Sequence, residues 1–191
     1  MQTYCIILAA GKSKRFRDNK NKLFSNVYGS PLIFFTLTNI LKIFKKNEVY
    51  IVVNKNLPKK QQSFLKTFTQ NNLIFGGKSR FESLKNAIQC FEKDVNLLIH
   101  DAARPNINKN LIKKIKNEIE SDKTYSVVPF TNITDTLKNK KFNKYHSVKR
   151  SQFINTQTPQ ALKLNKISRK IISSTHPNVT DESQIFDKFK L

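Results

Sequence analysis

A chain of 191 residues with 38% hydrophobic content fits one globular domain with a sizeable core. No apolar run approaches the roughly 20 residues of a membrane-spanning helix, and the N-terminus lacks the basic-apolar-small order of a secretory leader, which predicts a soluble, cytoplasmic protein with no membrane partner. The net charge of +22 brings nucleic acid to mind, yet the excess is mostly lysine, spread along the whole chain among frequent Asn, Ile and Phe. That is the mark of compositional bias, so no specific nucleic-acid partner is predicted, only salt-sensitive adhesion to polyanions.

Tyr4 to Leu8 is an unbroken apolar run suited to a strand buried on both faces of a parallel sheet. It stops at Ala9-Ala10-Gly11, three minimal side chains against whose backbone a ligand could lie, with Gly11 free to adopt an unusual φ. Lys12, Lys14, Arg15, Arg17, Lys20 and Lys22 follow. A small-residue turn at the carboxyl end of a strand, followed by cations, suits a nucleoside triphosphate; it also suits an ordinary turn in a lysine-rich chain. It is not a Walker loop, and Ser13 and Phe16 stand where a dinucleotide fingerprint needs glycine.

Ser30-Pro31 predicts the cap and first turn of a helix whose apolar face is Leu32, Phe35, Ile40, Leu41 and Phe44. Glu48 to Val53 reads as a second strand, Lys59 to Phe68 as a polar helix, and Asn72 to Phe75 as a third strand ended by Gly76-Gly77. Ser79 with Glu82 forms a capping box for a helix running to about Phe91. Asn96 to His100 is a fourth strand, Asn108 caps a helix with Leu111, Ile112, Ile115 and Ile119 inward, and Tyr125 to Pro129 is a fifth strand. Cys5 and Cys90, with no CxxC spacing, read as buried core thiols in a reducing compartment. Alternating strands and helices predict an α/β fold: a Rossmann-like, doubly wound, mostly parallel sheet flanked by helices.

The alternation breaks at Thr131. From there to about Pro159 the chain is polar and lysine-rich, with an Asn-Lys-Lys-Phe-Asn-Lys turn between two short strands. This predicts a projecting β-arm over 131–159, either mobile or docked on another subunit, because a lone hairpin cannot bury a core of its own. Helical patterns resume at Lys163 to Ser174 and at Thr180 to Phe189.

His100-Asp101-Ala102-Ala103-Arg104-Pro105 ends the fourth strand, on the same sheet edge as Ala-Ala-Gly. Asp101 suits a Mg²⁺ ligand there, and it equally suits a loop cap paired with Arg104. With these residues in view, the sequence resembles the 2-C-methyl-D-erythritol 4-phosphate cytidylyltransferases of the non-mevalonate isoprenoid pathway. The likeness runs in order through Leu8 to Gly11 with Arg15, Lys22, Gly76-Gly77 with Arg80 and Ser83, and His100 to Pro105. It continues through Asp135-Thr136, Val148-Lys149-Arg150, Thr158-Pro159-Gln160 and Thr180-Asp181-Glu182, and so covers one domain over residues 1–191.

The resemblance implies transfer of a cytidylyl group from CTP to methylerythritol phosphate, with release of pyrophosphate. It implies that Arg15 and Lys22 grip the triphosphate, that Asp101 helps hold Mg²⁺, and that Ala9, Ala10, Gly11, Gly77 and Ser83 read cytosine and ribose, with Ala102 and Arg104 beside them. Thr136 and Arg150 would bind the acceptor across the dimer interface, on an arm that joins two subunits as a homodimer. Two departures accompany the likeness: Ser13 stands for a second glycine and Asn21 for a proline before the lysine. The sequence also ends at Leu191, where the family continues through a further strand and helix that carry a carboxylate near the metal and a lysine for the acceptor phosphate. The expectation is a C-terminally short chain of this family: a fragment, a natively short form or one with compromised activity. The alternatives are a cytidylyltransferase for an alditol or sugar phosphate and a non-catalytic basic binding protein of the same fold.

Overall fold

The structure, a computed structural model, describes residues 1–11 and 21–174. In chain order its elements begin with β1 (Thr3–Ala9), the short strands β2 (Asn26–Val27) and β3 (Ser30–Pro31), and α1 (Leu32–Ile40). Next come β4 (Val49–Val53), α2 (Lys59–Lys66), β5 (Leu73–Phe75), α3 (Arg80–Ile88), β6 (Val95–Asp101), α4 (Lys109–Glu120) and β7 (Ser126–Val127). The arm strands are β8 (Phe130–Asn132), β9 (Lys138–Lys141), β10 (Lys144–Ser147) and β11 (Ile154–Thr156). The described chain closes with β12 (Gln160–Leu164) and α5 (Lys166–Ser174).

The main sheet has the order β5-β4-β1-β6-β12-β7. β5, β4, β1 and β6 are parallel, while β12 runs antiparallel between β6 and β7. Apart from β12, strands are added first on one side of β1 and then on the other, which is the doubly wound arrangement and leaves a crevice at the carboxyl ends of β1 and β6. Both faces are covered. Cys5, Ile7 and Ala9 pack with Ile33 and Leu37 of α1 and Ile112 and Ile115 of α4 on one side. On the other, Ile6 packs with Phe81 and Leu84 of α3 and Ile172 of α5.

The structure corrects several expectations. Ser30-Pro31 does not start α1: Ser30 pairs with Val27, and Pro31 is the N-cap in extended backbone. The buried face of α1 is consequently Ile33, Thr36, Leu37 and Ile40. α3 stops at Ile88, so Cys90 is exposed, while Cys5 is buried as expected. Gln160–Leu164, which falls between the arm expected to end near Pro159 and the helix expected from Lys163, is a fully buried strand, and α5 begins only at Lys166. Its two polar side chains find partners: Gln160 Nε2 donates to Gln157 O at 3.2 Å, and Lys163 Nζ donates to Ser121 O while lying 5.9 Å from the Tyr125 ring. The helix expected at Thr180 to Phe189 lies outside the described residues.

The arm is present. β8 pairs with β11 at its base, and β9 with β10 beyond it. Lys141 faces Lys144 across the two-residue loop Phe142-Asn143, whose φ values of 49° and 59° match the mirror-image turn that suits the right-handed twist of a hairpin.

Candidate active site

Parallel register brings the two loop tips to one rim. Leu8 is aligned with Asp101, and the Ala102 N–H donates to Leu8 O at 3.0 Å, so Ala9-Ala10-Gly11 and Asp101-Ala102-Ala103-Arg104 leave the sheet side by side. Gly11 does not take a positive φ, contrary to the freedom expected of it. Its contribution is space, since a Cβ built there meets nothing within 4 Å among the described residues. Gly76 is different. A Cβ there would stand 2.5 Å from Ala10 Cβ and 2.7 Å from Ser83 Oγ, so only glycine lets the turn after β5 close against the turn after β1. Ser83 is buried, donates its hydroxyl to Ser79 O at 2.8 Å and accepts from Gly77 N–H at 3.2 Å, which fixes the Gly77 turn from below. The start of α3 is capped by Ser79, whose side chain accepts from Glu82 N–H. The return bond runs from Lys78 N–H to Glu82 Oε2, one residue ahead of the capping box read from sequence.

Asp101 carries the charge at the rim. Its Oδ1 accepts from Arg80 Nε and its Oδ2 forms an ion pair with Arg104 Nε, both at 3.2 Å. One carboxylate thus gathers two guanidiniums from α3 and from its own loop, leaving the rim cationic and suited to phosphate. Arg104 Nη1 also donates to Gln157 Oε1 at 2.8 Å, tying the rim to the base of the arm. From beneath, Thr36 Oγ1 donates to Ala102 O at 2.9 Å and Asn39 Nδ2 to Pro105 O at 3.1 Å. Ala102 is itself fully buried. None of the Thr36, Asn39 and Gln157 roles is visible in the sequence, because each depends on partners distant along the chain.

His100 completes the support. It is buried, and its Nε2 donates to Arg104 O at 2.9 Å. Burial lowers its pKa from 6.5 to about 4 against the smaller opposing pull of the Arg104 carbonyl, so it is neutral at physiological pH. The unfolded chain takes up this proton near the ordinary value and the folded chain only near the depressed one. Stability is therefore intact at neutral pH and is lost as pH falls from 6.5 towards 4. Between pH 7 and pH 5 the His100 share of that loss is about 2 kcal/mol. Urea unfolding at the two pH values should show it, and a His100→Gln variant should lose that share of the pH dependence. Equal pH dependence in both proteins would contradict the assignment.

Lys22 is exposed at the start of a 3₁₀ turn, Lys22–Phe24, whose first N–H groups are capped by Asn21: Leu23 N–H donates to Asn21 Oδ1 at 3.1 Å. Asn21 has φ −67°, a value proline would share, so its substitution for proline leaves this turn well formed. Leu23 is 5% exposed and packs in the cluster that holds Ala9 and Ala102, which anchors the Lys22 turn beside the rim loops. Arg15, Ser13 and Thr180 to Glu182 lie outside the described residues. Thr136 and Arg150 are exposed on the arm; Arg150 Nη1 donates to Thr134 O, joining the two sides of the arm near Thr136.

The family model described as IspD, 2-C-methyl-D-erythritol 4-phosphate cytidylyltransferase, matches residues 3–190. The chain belongs to this family. The bifunctional enzyme IspD/IspF of Pelagibacter ubique is 36% identical over 97% of this chain and 49% of its own length. The 2-C-methyl-D-erythritol 4-phosphate cytidylyltransferase of Prochlorococcus marinus strain MIT 9312 is 32% identical over 95% of this chain and 82% of its own. Among solved structures, the bifunctional IspDF of Campylobacter jejuni is similar with a TM-score of 0.77 and 26% identity, covering 97% of this chain and 46% of that one. The chain therefore spans about half the length of the bifunctional relatives and most of the Prochlorococcus one. Within the IspD family fold, the rim at β1 and β6 brings together Ala9, Ala10, Gly11, Gly77, Asp101, Ala102 and Arg104. Among the described residues no three His, Cys, Asp or Glu side chains cluster as a metal cage, and no helix is long and apolar enough to cross a membrane.

Proposed function

We propose that this chain transfers a cytidylyl group from CTP to the phosphate of 2-C-methyl-D-erythritol 4-phosphate. An oxygen of the acceptor phosphate attacks the α-phosphorus of CTP in line, the bond from that phosphorus to the bridging oxygen breaks, and pyrophosphate leaves. The observation that carries the proposal is the meeting of a side-chain-free turn and an arginine-flanked Asp101 at one rim of an IspD-family sheet. No side-chain nucleophile is required, because the acceptor brings its own. The protein's task is to align two polyanions and offset their repulsion.

Ala9, Ala10, Gly11 and Gly77, with Ser83 behind Gly77, form the wall for cytosine and ribose, and Ala102 and Arg104 flank it. Arg15 and Lys22 grip the triphosphate and the charge that builds on the α-phosphoryl group. Thr136 and Arg150 bind the acceptor phosphate. Asp101 would hold Mg²⁺: its carboxylate stands at the rim, the side chain is 26% exposed, and Mg²⁺ draws its other ligands from water and phosphate oxygens. When bound, such a cation neutralises phosphate charge.

A homodimer through the arm is supported by the exposure of Phe130, Phe142, Tyr145, Phe153 and Ile154 on a ribbon that packs little against its own chain. A cytoplasmic location is supported by two free thiols, one of them exposed.

The acceptor assignment is tested by Arg150→Ala. Its KM for methylerythritol phosphate should rise about tenfold, the scale of one charge-assisted hydrogen bond, with the KM for CTP little changed. Equal rises for both substrates, or preference for an alditol phosphate in direct competition, would overturn it.

A further inference from the structure

The arm leaves the body after Pro129 and returns at Gln157, and Gln157 sits where four parts of the molecule meet. Its N–H donates to Pro129 O at 2.8 Å, closing the base of the ribbon. Its Nε2 donates to Asn155 O at 3.4 Å on the returning strand, and its own carbonyl accepts from Gln160 Nε2 at 3.2 Å, at the first residue of buried β12. Its Oε1 accepts from Arg104 Nη1, and the same guanidinium is ion-paired through Nε with Asp101 Oδ2 at 3.2 Å. A guanidinium has donors alone, so the amide must turn its oxygen to Arg104, which leaves its NH₂ for Asn155.

We propose that Gln157 is a positioning residue that fixes, through Arg104, the angle at which the acceptor arm leaves the body. β8 is exposed at all three residues and β11 at its first two, so little packing fixes the angle of this ribbon on the body. A polar bridge at its base therefore has leverage over where Thr136 and Arg150 are carried, and in-line transfer tolerates little misplacement of the incoming phosphate. Arg104 keeps its anchor on Asp101 when Gln157 is lost, whereas the arm loses this side-chain tie to the rim. The consequence should fall on the acceptor and spare CTP. This inference rests on the cytidylyl-transfer reading above.

The test is steady-state kinetics of wild type, Gln157→Ala and Gln157→Glu with CTP and methylerythritol phosphate, with CTP affinity measured separately by calorimetry. Gln157→Ala is expected to raise the acceptor KM about tenfold, with the CTP Kd within about twofold of wild type, on the scale of one hydrogen bond to a charged group. Gln157→Glu should restore the acceptor KM, since a carboxylate accepts from the same guanidinium. The bridge is partly exposed, so both variants should keep the wild-type melting temperature. An unchanged acceptor KM in Gln157→Ala, parallel rises for both substrates, or failure of the Glu variant to rescue would overturn the positioning role and leave the activity standing. Absence of turnover in the wild type would instead overturn the activity, and the positioning role with it.

Discussion

Lys22→Ala is expected to lower turnover about 10²- to 10³-fold, on the scale of losing one preorganised transition-state contact. The fold should not suffer. Lys22 is exposed, and its turn is held by the Asn21 cap and by buried Leu23, neither of which the substitution touches. The lost ammonium would act on charge that accumulates as the phosphoryl group transfers, so the fall should appear in kcat more than in the KM for CTP. Lys22→Arg should recover part of the rate, because charge returns with a different shape. A pyrophosphate-release assay in which Lys22→Ala matches wild type would remove Lys22 from the chemistry.

Asp101→Asn should be nearly as damaging, at about 10²-fold in turnover, for a different reason. The substitution keeps the side chain's shape and removes the charge that holds Arg80 and Arg104 in place and that would hold a divalent cation. Turnover should therefore need more Mg²⁺ to reach its plateau. The three side chains are partly exposed, so the effect on folding stability should stay within about 1 kcal/mol. Full activity at unchanged Mg²⁺ dependence would show that Asp101 serves the loop alone.

The parts of this molecule that could be read from sequence are those whose signal is local. The Tyr4 to Leu8 run and the Leu97 to His100 run are apolar because both faces of their strands are covered, and α4 shows Ile112, Ile115 and Ile119 at helical spacing. With those placed, parallel register forces the Gly11 and Asp101 loops to one edge, so the rim itself was legible. β12 was not, because Gln160 and Lys163 interrupt its apolar run and their partners, Gln157 and Ser121, are known only once the chain has folded. Cys90 read as a core residue because helical periodicity does not announce where a helix stops. The bonds that tie the Ser83 hydroxyl to Ser79 and Gly77 leave no signal in the sequence either. The bridge from Arg104 to Gln157 spans 53 residues of sequence and leaves no pattern in it at all.

Cytidylyl transfer requires one rim to bring CTP and an acceptor phosphate into line. An end-point assay of the purified chain with CTP, Mg²⁺ and 2-C-methyl-D-erythritol 4-phosphate, read by mass spectrometry, tests this directly. The expected result is 4-diphosphocytidyl-2-C-methyl-D-erythritol formed in equal amount with pyrophosphate and only when both substrates are present. CTP left intact, by a chain that instead takes up duplex DNA in a salt-labile manner, would contradict it.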